Sequence, residues 1–125
     1  MRKMIIGLAA ICAIMPVAAH AMSVAEFLAK TDALKAQGVL AMASPDIGLL
    51  RSDIAKASDA YRAGLAAEVA AGRKPSSCPP PKGTAKVTSD DIIAAFRAIP
   101  AGQRTGMSTK VAFAAFMTKR YPCKA

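Results

Sequence analysis

The sequence is almost without histidine: His20 is the only one, and it lies in an N-terminal segment that we expect to be removed. The remaining chain would then lack imidazole, the commonest general base in catalysis and the commonest transition-metal ligand. No glycine-rich phosphate loop or nucleotide-binding fingerprint occurs. The adjacent acids Asp90 and Asp91 are explained by the positive end of a helix dipole. We therefore expect no enzymatic activity, no cofactor and no metal site.

Aromatic residues are also few, at 5% of the chain, and none of them is tryptophan. Proteins that bind single-stranded nucleic acid combine a basic groove with aromatic side chains on which bases stack, and the sequence lacks that pattern. Basic residues are in excess, at 17 against eight acidic ones, but no run reaches five like charges. Acids are interleaved with most of the basic residues. The pattern favours a mixed, solvated surface, whose functional version is contact with an acidic partner protein rather than with nucleic acid.

The first 21 residues have the organisation of a cleavable secretory signal peptide. Arg2 and Lys3 give a positively charged start, residues 4–15 are apolar, and Pro16 ends that run. Residues 19–21 read Ala-His-Ala, which is a cleavage site of the A-x-A type. A membrane anchor is the alternative, but the apolar run is shorter than the roughly 20 residues that span a bilayer core. The pattern predicts cleavage after residue 21, a periplasmic location and no stable membrane anchor afterwards.

Removal of this segment would leave residues 22–125, which is enough for one domain. Fifteen basic and eight acidic residues would remain, a formal charge of +7. Two cysteines, Cys78 and Cys123, would also remain, and an even pair in an exported chain favours a disulfide. A nucleophilic cysteine is the alternative, but it needs a neighbouring base, and no histidine would be left to serve as one. Closing a loop of about 46 residues predicts a stabilisation of roughly 4 kcal/mol.

A first helix is predicted directly after the expected cleavage site. Ser23 followed by Glu26 has the spacing of a capping box, in which each side chain satisfies a backbone N–H at the helix start. The helix should run over about Val24–Gln37, because Gly38 is a suitable terminator. The short apolar segment 39–43 follows. We expect it to be a buried connection.

A second helix is predicted to begin at Pro45, since Ser44 can cap it and proline is tolerated at the first helical position. Gly72 is the expected terminator. Apolar residues at three- or four-residue steps should share the buried face of this helix. They are Leu50, Ile54, Ala57, Tyr61, Leu65 and Val69.

Two further helices are predicted after a proline-rich loop over residues 73–86. The third begins at Thr88 or Ser89 and is ended by Pro100, and the fourth begins between residues 105 and 108 and is ended by Pro122. No alternating strand pattern longer than a few residues appears. The sequence predicts an all-α domain of about four helices with one disulfide. The apolar faces should contain Ile92, Phe96 and Ile99 in the third helix, and Val111, Phe113, Phe116, Met117 and Tyr121 in the fourth.

The pattern from Cys78 onward resembles a known family. It consists of Cys78-Pro79-Pro80, the helix DDIIAAFRAIP, a polar loop, and an apolar helix that ends in Arg120-Tyr121-Pro122-Cys123. Tyr61 and Gly64 add a Tyr-x-x-Gly segment. Over residues 61–123 the chain is similar to periplasmic immunity proteins of the Rap/Tai group. The resemblance implies a small helical protein that binds and inhibits a peptidoglycan amidase effector delivered by type VI secretion.

Two other functions remain open from the residues alone. The chain could be a periplasmic structural or stress-related protein without a toxin partner, or it could bind anionic surfaces through its charge of +7. Residues 101–107 form the candidate loop for contact with a partner, with a plain solvated connector as the alternative. The sequence identifies neither the partner, nor the binding surface, nor the oligomeric state.

Overall fold

The computed structural model describes residues 22–124, so the predicted signal peptide over residues 1–21 lies outside the described residues. Within residues 22–124 the chain is all-α and forms no β-strand, which confirms the predicted fold class. A 3-10 helix, Gly38–Ala43, joins the first two α-helices. The α-helices are α1 (Val24–Gln37), α2 (Pro45–Ala70), α3 (Ser89–Ala98), the short α4 (Ala101–Arg104) and α5 (Thr109–Arg120).

The four long helices begin where hydroxyl side chains can cap them. Ser23, Ser44 and Ser108 each accept a hydrogen bond from a backbone N–H in the first turn of α1, α2 and α5. The full capping box lies at α3, where Asp91 N–H donates to Thr88 Oγ1 and Thr88 N–H donates to Asp91 Oδ2. These bonds satisfy backbone donors that a helix start leaves without a partner. The predicted starts of α1, α2 and α3 are confirmed, whereas α5 begins at Thr109, one residue beyond the predicted range of 105–108. The capping box predicted at Ser23 and Glu26 forms only the bond from Glu26 N–H to Ser23 Oγ.

The starts of α1 and α5 are also joined to each other. Val24 N–H donates to Met107 O, and Thr109 N–H donates to Met22 O, both at 2.9 Å. These two bonds form an isolated antiparallel bridge between Ser23 and Ser108. Backbone groups at two helix starts are thereby satisfied by each other, which anchors the beginning of the described chain to the segment before α5.

The core lies between α2 and α5, which form the most extensive helix–helix contact, and is completed by α1 and α3. Two aromatic pairs lie in it edge to face: Phe27 with Phe96 at 5.2 Å between ring centroids, and Tyr61 with Phe113 at 6.1 Å. Such edge-to-face contacts add to the free energy gained by burying the rings. The buried apolar residues are Val24, Phe27, Leu28, Ala57, Tyr61, Ile92, Phe96, Ala112, Phe113 and Met117.

One apolar segment and two single apolar residues lie outside the core against prediction. The segment 39–43 was expected to be buried, but its large side chains point to solvent. Val69 is exposed because α2, at 26 residues, is much longer than any of the helices that pack against it. Val111 is exposed because the buried face of α5 follows helical spacing through Thr109, Ala112, Phe113 and Met117, and position 111 falls off that face.

The disulfide Cys78–Cys123 joins the proline-rich loop to the end of α5, with Cα atoms 4.9 Å apart. Cys78 N–H donates to Tyr121 O at 2.8 Å, so a backbone hydrogen bond lies beside the covalent one. Arg120 donates to Lys86 O at 2.7 Å, near the start of α3. The end of α5 therefore returns to the start of α3, as the predicted pairing requires.

The residues that the structure describes include no helix that is both long enough and apolar enough to cross a membrane.

Candidate binding surface

The predicted site residues are structural in this fold. Cys78 and Cys123 form the disulfide at an exposed end of the molecule. Immediately beneath it lies Ser77, which is only 1% exposed. Ser77 donates to Tyr121 O at 2.9 Å, and its oxygen lies 2.6 Å from Tyr61 Oη. Since the serine proton is directed at the carbonyl, Tyr61 is the donor of the second bond.

The candidate loop over residues 101–107 is more ordered than a plain connector. It contains the helical turn α4, and Arg104 holds it by donating to Ile99 O at 2.8 Å and to Arg97 O at 2.6 Å. Met107 packs against the core. The exposed residues of this segment are small or polar, including Gly102, Gln103 and Gly106. They offer little apolar surface to a partner.

A second surface, which the sequence did not predict, lies at the corner between α1 and α2. Val39 is 88% exposed, Leu40 75% and Met42 85%, and Leu49 at the start of α2 is also exposed. We call these four residues the corner patch. In a 3-10 helix, residues three apart lie in line, so Val39 and Met42 share one edge.

The geometry of the connection explains why the corner patch faces solvent. Gly38 has a φ of +59°, and its N–H donates to Lys35 O, which ends α1. Six residues later, Ser44 and Pro45 begin α2. The short 3-10 segment therefore lies between the end of α1 and the start of α2. It is too short to fold back onto the core, so its large apolar side chains remain outside.

Beside the corner patch lies a half-open groove of about 430 Å³, formed by α1, α2 and α3. Each helix contributes positions spaced three or four residues apart, so each presents one face to the groove. The hydroxyl of Thr31 lies there too, but it already donates to Phe27 O at 2.9 Å. The apolar lining consists of Phe27, Leu34, Ile47, Leu50, Ile54, Ile92 and Ile93.

A second hollow of about 340 Å³ continues from the groove past Arg51, Ile54 and Ile92, which line both. Two further cations line this hollow, but each already has a protein partner. Arg62 donates to Pro80 O at 3.1 Å, and Lys82 lies 2.9 Å from an Asp59 oxygen. These contacts leave Arg51 as the cation that both cavities share.

The distribution of ion pairs leaves the groove positively charged. Asp32 pairs with Arg97, Asp46 with Lys30, Asp59 with Lys82, and Asp91 with Arg120. The hydrogen bond from Arg97 holds the pKa of Asp32 below its usual value. Half of the eight acids are thereby engaged. Within residues 22–124, neither Lys35 nor Arg51 forms a direct ion pair, although the charge of Lys35 also contributes to the lowered pKa of Asp32.

The remaining chemically notable groups do not converge on this groove. In the part of the chain that the structure describes, no three His, Cys, Asp or Glu side chains come close enough to hold a metal ion. Asp90 and Asp91 lie in the first turn of α3, and Asp91 belongs to its capping box. The pKa of Asp91 is lowered, first by the Thr88 backbone N–H and to a smaller extent by Arg120.

Sequence patterns contained partial signals for this surface. Val39, Leu40 and Met42 are visible as an apolar run between Gly38 and Pro45, but the run alone does not tell which side it faces. The spacing of apolar residues in α2 indicated one face, yet not that part of it would border an open groove.

No family model, curated protein or solved structure matches the chain, so its function has to be inferred from the corner patch, the groove, the charge and the fold.

Proposed function

We propose that this chain is an exported binding protein that docks on an acidic partner protein through the corner patch, and that it acts as a periplasmic immunity protein. The observation that carries the proposal is the exposure of Val39, Leu40 and Met42. Exposed apolar patches on a small folded domain mark interaction sites, because side chains left in water lose the free energy that their burial would provide.

The positive charge of residues 22–125 would act together with this apolar patch in binding an acidic partner. Fifteen basic against eight acidic residues give a formal charge of +7. An acidic partner would be attracted over a long range, and this attraction raises the association rate more than the final affinity. The apolar contact at the corner would then supply the slow dissociation that an inhibitor requires.

The resemblance to the Rap/Tai group supplies the class of partner, a peptidoglycan amidase effector. The pattern that carries the resemblance has two ends, the Cys78-Pro79-Pro80 segment and the Tyr121-Pro122-Cys123 segment. The disulfide supports the proposal because it joins these two ends of the pattern. An immunity protein works by covering the active site of the effector. This requires a rigid surface but no catalytic residues in the immunity protein itself.

Co-expression tests this function. The product of the gene adjacent to this one would be directed to the periplasm, alone and together with this protein. If the product lyses cells alone, we expect the full-length protein to restore growth. Equal lysis with and without this protein would reject immunity towards that product.

A matched pair of variants then tests the docking surface. Leu40→Asp should abolish protection, because it places a charge within the corner patch. Val111→Asp is the control: Val111 is also exposed, at 59%, and the substitution changes the charge equally on the surface of α5. Loss of protection in both variants, or in neither, would contradict docking through the corner patch.

An anionic membrane surface is the second candidate, since the corner patch combines exposed aliphatic side chains with a basic protein. Apolar side chains would enter the headgroup region while basic residues contact the lipid phosphates. Cosedimentation with phosphatidylglycerol vesicles separates this function from protein binding. Salt-sensitive binding that Leu40→Asp abolishes would support it, and equal binding to neutral vesicles would contradict it.

A further inference from the structure

We propose that the groove between α1, α2 and α3 is a binding site for an amphiphilic carboxylate, that is, a single free aliphatic chain that ends in a carboxylate group. This site is separate from docking through the corner patch, and it does not depend on the immunity role. Its occupant follows from three properties of the groove: its size, the chemistry of its walls and the charge at its rim.

The size suits a small molecule. The groove encloses about 430 Å³, which falls within the range of roughly 300–1,000 Å³ typical of ligand pockets. Along α2 its lining runs from Ile47 to Ile54, which at 1.5 Å per residue corresponds to about 10 Å. A helix about 10 Å in diameter would not enter this volume, whereas an extended aliphatic chain would.

The walls are suited to an aliphatic chain. Leu34, Ile47, Leu50 and Ile93 are only partly buried although they lie beside the core, so the groove leaves apolar surface uncovered. The hydroxyl of Thr31 is occupied by its bond to Phe27 O. Ser89 is the other hydroxyl residue in the lining, and it is exposed at the start of α3. A hydrocarbon chain that lies along the aliphatic side chains would remove their apolar surface from water.

The charge at the rim selects an anionic headgroup. Lys35 and Arg51 both line the groove and are exposed, and within the described residues neither pairs with a carboxylate. Arg51 also borders the second hollow, where Arg62 and Lys82 are already engaged. A guanidinium binds a carboxylate through two parallel hydrogen bonds, so Arg51 is the headgroup residue and Lys35 adds a second positive charge.

Calorimetric titration with laurate, below its micelle concentration, tests the proposal on the oxidised protein secreted from its full-length gene. We expect one saturable site. Dodecyltrimethylammonium has the same chain with a cationic headgroup and should bind at least tenfold more weakly, because it is repelled by Arg51 and cannot form the carboxylate–guanidinium hydrogen bonds. Equal binding of the two amphiphiles would overturn the proposal, since it would show adsorption of the chain alone.

Two charge-reversal variants make the test specific to the groove. Arg51→Glu should weaken laurate binding roughly tenfold or more, the effect of losing a charge-assisted hydrogen bond. Lys56→Glu is the control: it lies on the same helix, is exposed and lines neither cavity, yet it changes the net charge equally. An equal loss in both variants would mean that overall charge attracts laurate, and the groove assignment would fail.

A third variant fills the groove. Leu34→Trp places an indole ring against the apolar walls and should abolish laurate binding while the thermal unfolding midpoint stays within a few degrees. The chain has no other tryptophan, so the fluorescence of the new residue reports directly whether the ring is shielded from water. A shielded indole together with unchanged laurate affinity would place the ligand elsewhere. Two further results would also overturn the proposal. In the first, the protein binds laurate only when the laurate is embedded in vesicles. In the second, Arg51→Glu weakens binding to a partner protein but leaves binding of free laurate unchanged.

Discussion

The two ends of α2 are held in opposite ways. At its C-terminal end, Glu68 accepts hydrogen bonds from the backbone and hydroxyl of Ser76, Ser77 is buried against Tyr61, and the disulfide follows immediately. At its N-terminal end, the cap from Ser44 and the ion pair between Lys30 and Asp46 hold a corner that exposes aliphatic side chains. One end therefore closes the fold, while the other remains available to a ligand or partner.

This contrast explains how a domain of about a hundred residues can expose apolar surface and still be stable. Small domains bury a limited share of their surface, and each apolar side chain left outside reduces the stability available. A covalent closure at one end compensates for the open corner at the other.

Removal of the disulfide should have the largest effect. Cys78→Ser together with Cys123→Ser opens a closure that spans 45 positions in sequence. The free energy of unfolding should fall by about 4 kcal/mol, because the unfolded chain regains its conformational freedom. Denaturant titration measures this value. If the free energy of unfolding falls by less than about 1 kcal/mol, the disulfide does not stabilise the C-terminal end of α2 in the way that the contrast between its two ends requires.

Ser77→Ala tests the buried hydrogen bonds beneath the disulfide. The substitution leaves the Tyr61 hydroxyl buried without its partner, and we expect a loss of about 1–3 kcal/mol in the free energy of unfolding. Ser76→Ala, at an exposed neighbouring position, should cost less than about 1 kcal/mol. Similar losses in the two variants would show that burial of Ser77 adds nothing.

The start of α3, which contacts the closed end through Arg120, should respond to acid. Folding lowers the pKa of Asp91, so its contribution is fully present above the unfolded-state value and is lost as the pH falls through the folded-state value. Stability should therefore decrease below about pH 4, as measured by thermal unfolding at a series of pH values. Asp91→Asn should remove part of this decrease. Asp90→Asn changes the charge equally and leaves the capping box intact, so it should remove less of this decrease than Asp91→Asn does.

Leu40→Ser should have the smallest effect on stability. Leu40 is largely exposed, so the free energy of unfolding should change by less than about 0.5 kcal/mol. The same substitution at the buried Leu28 should cost several kcal/mol, on the order of 2–5. A large loss at Leu40 would mean that the open corner contributes to the fold and is not reserved for contacts with other molecules.

Local chemistry accounts for the parts of the fold that were predicted from sequence. Helix starts depend on hydroxyl and carboxylate side chains within three residues of the backbone they cap, as at Thr88 and Asp91. Helix ends depend on residues such as Gly38 and Gly72, which both have positive φ. The pairing of Cys78 with Cys123 followed from their number once the N-terminal segment was set aside.

Other features depend on distances between helices, and sequence patterns could not supply them. Ser77 has no signal of its own, since a serine in a proline-rich loop is ordinarily exposed, and it is buried because the loop returns to Tyr61 and Tyr121. The α4 turn is held by Arg104 reaching carbonyls five and seven residues away. The groove is open because, in the part of the chain that the structure describes, no further helix covers the faces of α1, α2 and α3 that line it.

We could predict the all-α class, the approximate positions of the four long helices and the one disulfide from the sequence, because each follows from interactions between residues close in the chain or from the count of cysteines. The solvent-facing position of the apolar segment 39–43 became evident only from the tertiary structure. Val39, Leu40 and Met42 are as apolar as the core residues, but burial depends on whether another helix is within reach. Among residues 22–124 no other helix covers this corner, so Val39, Leu40 and Met42 remain exposed.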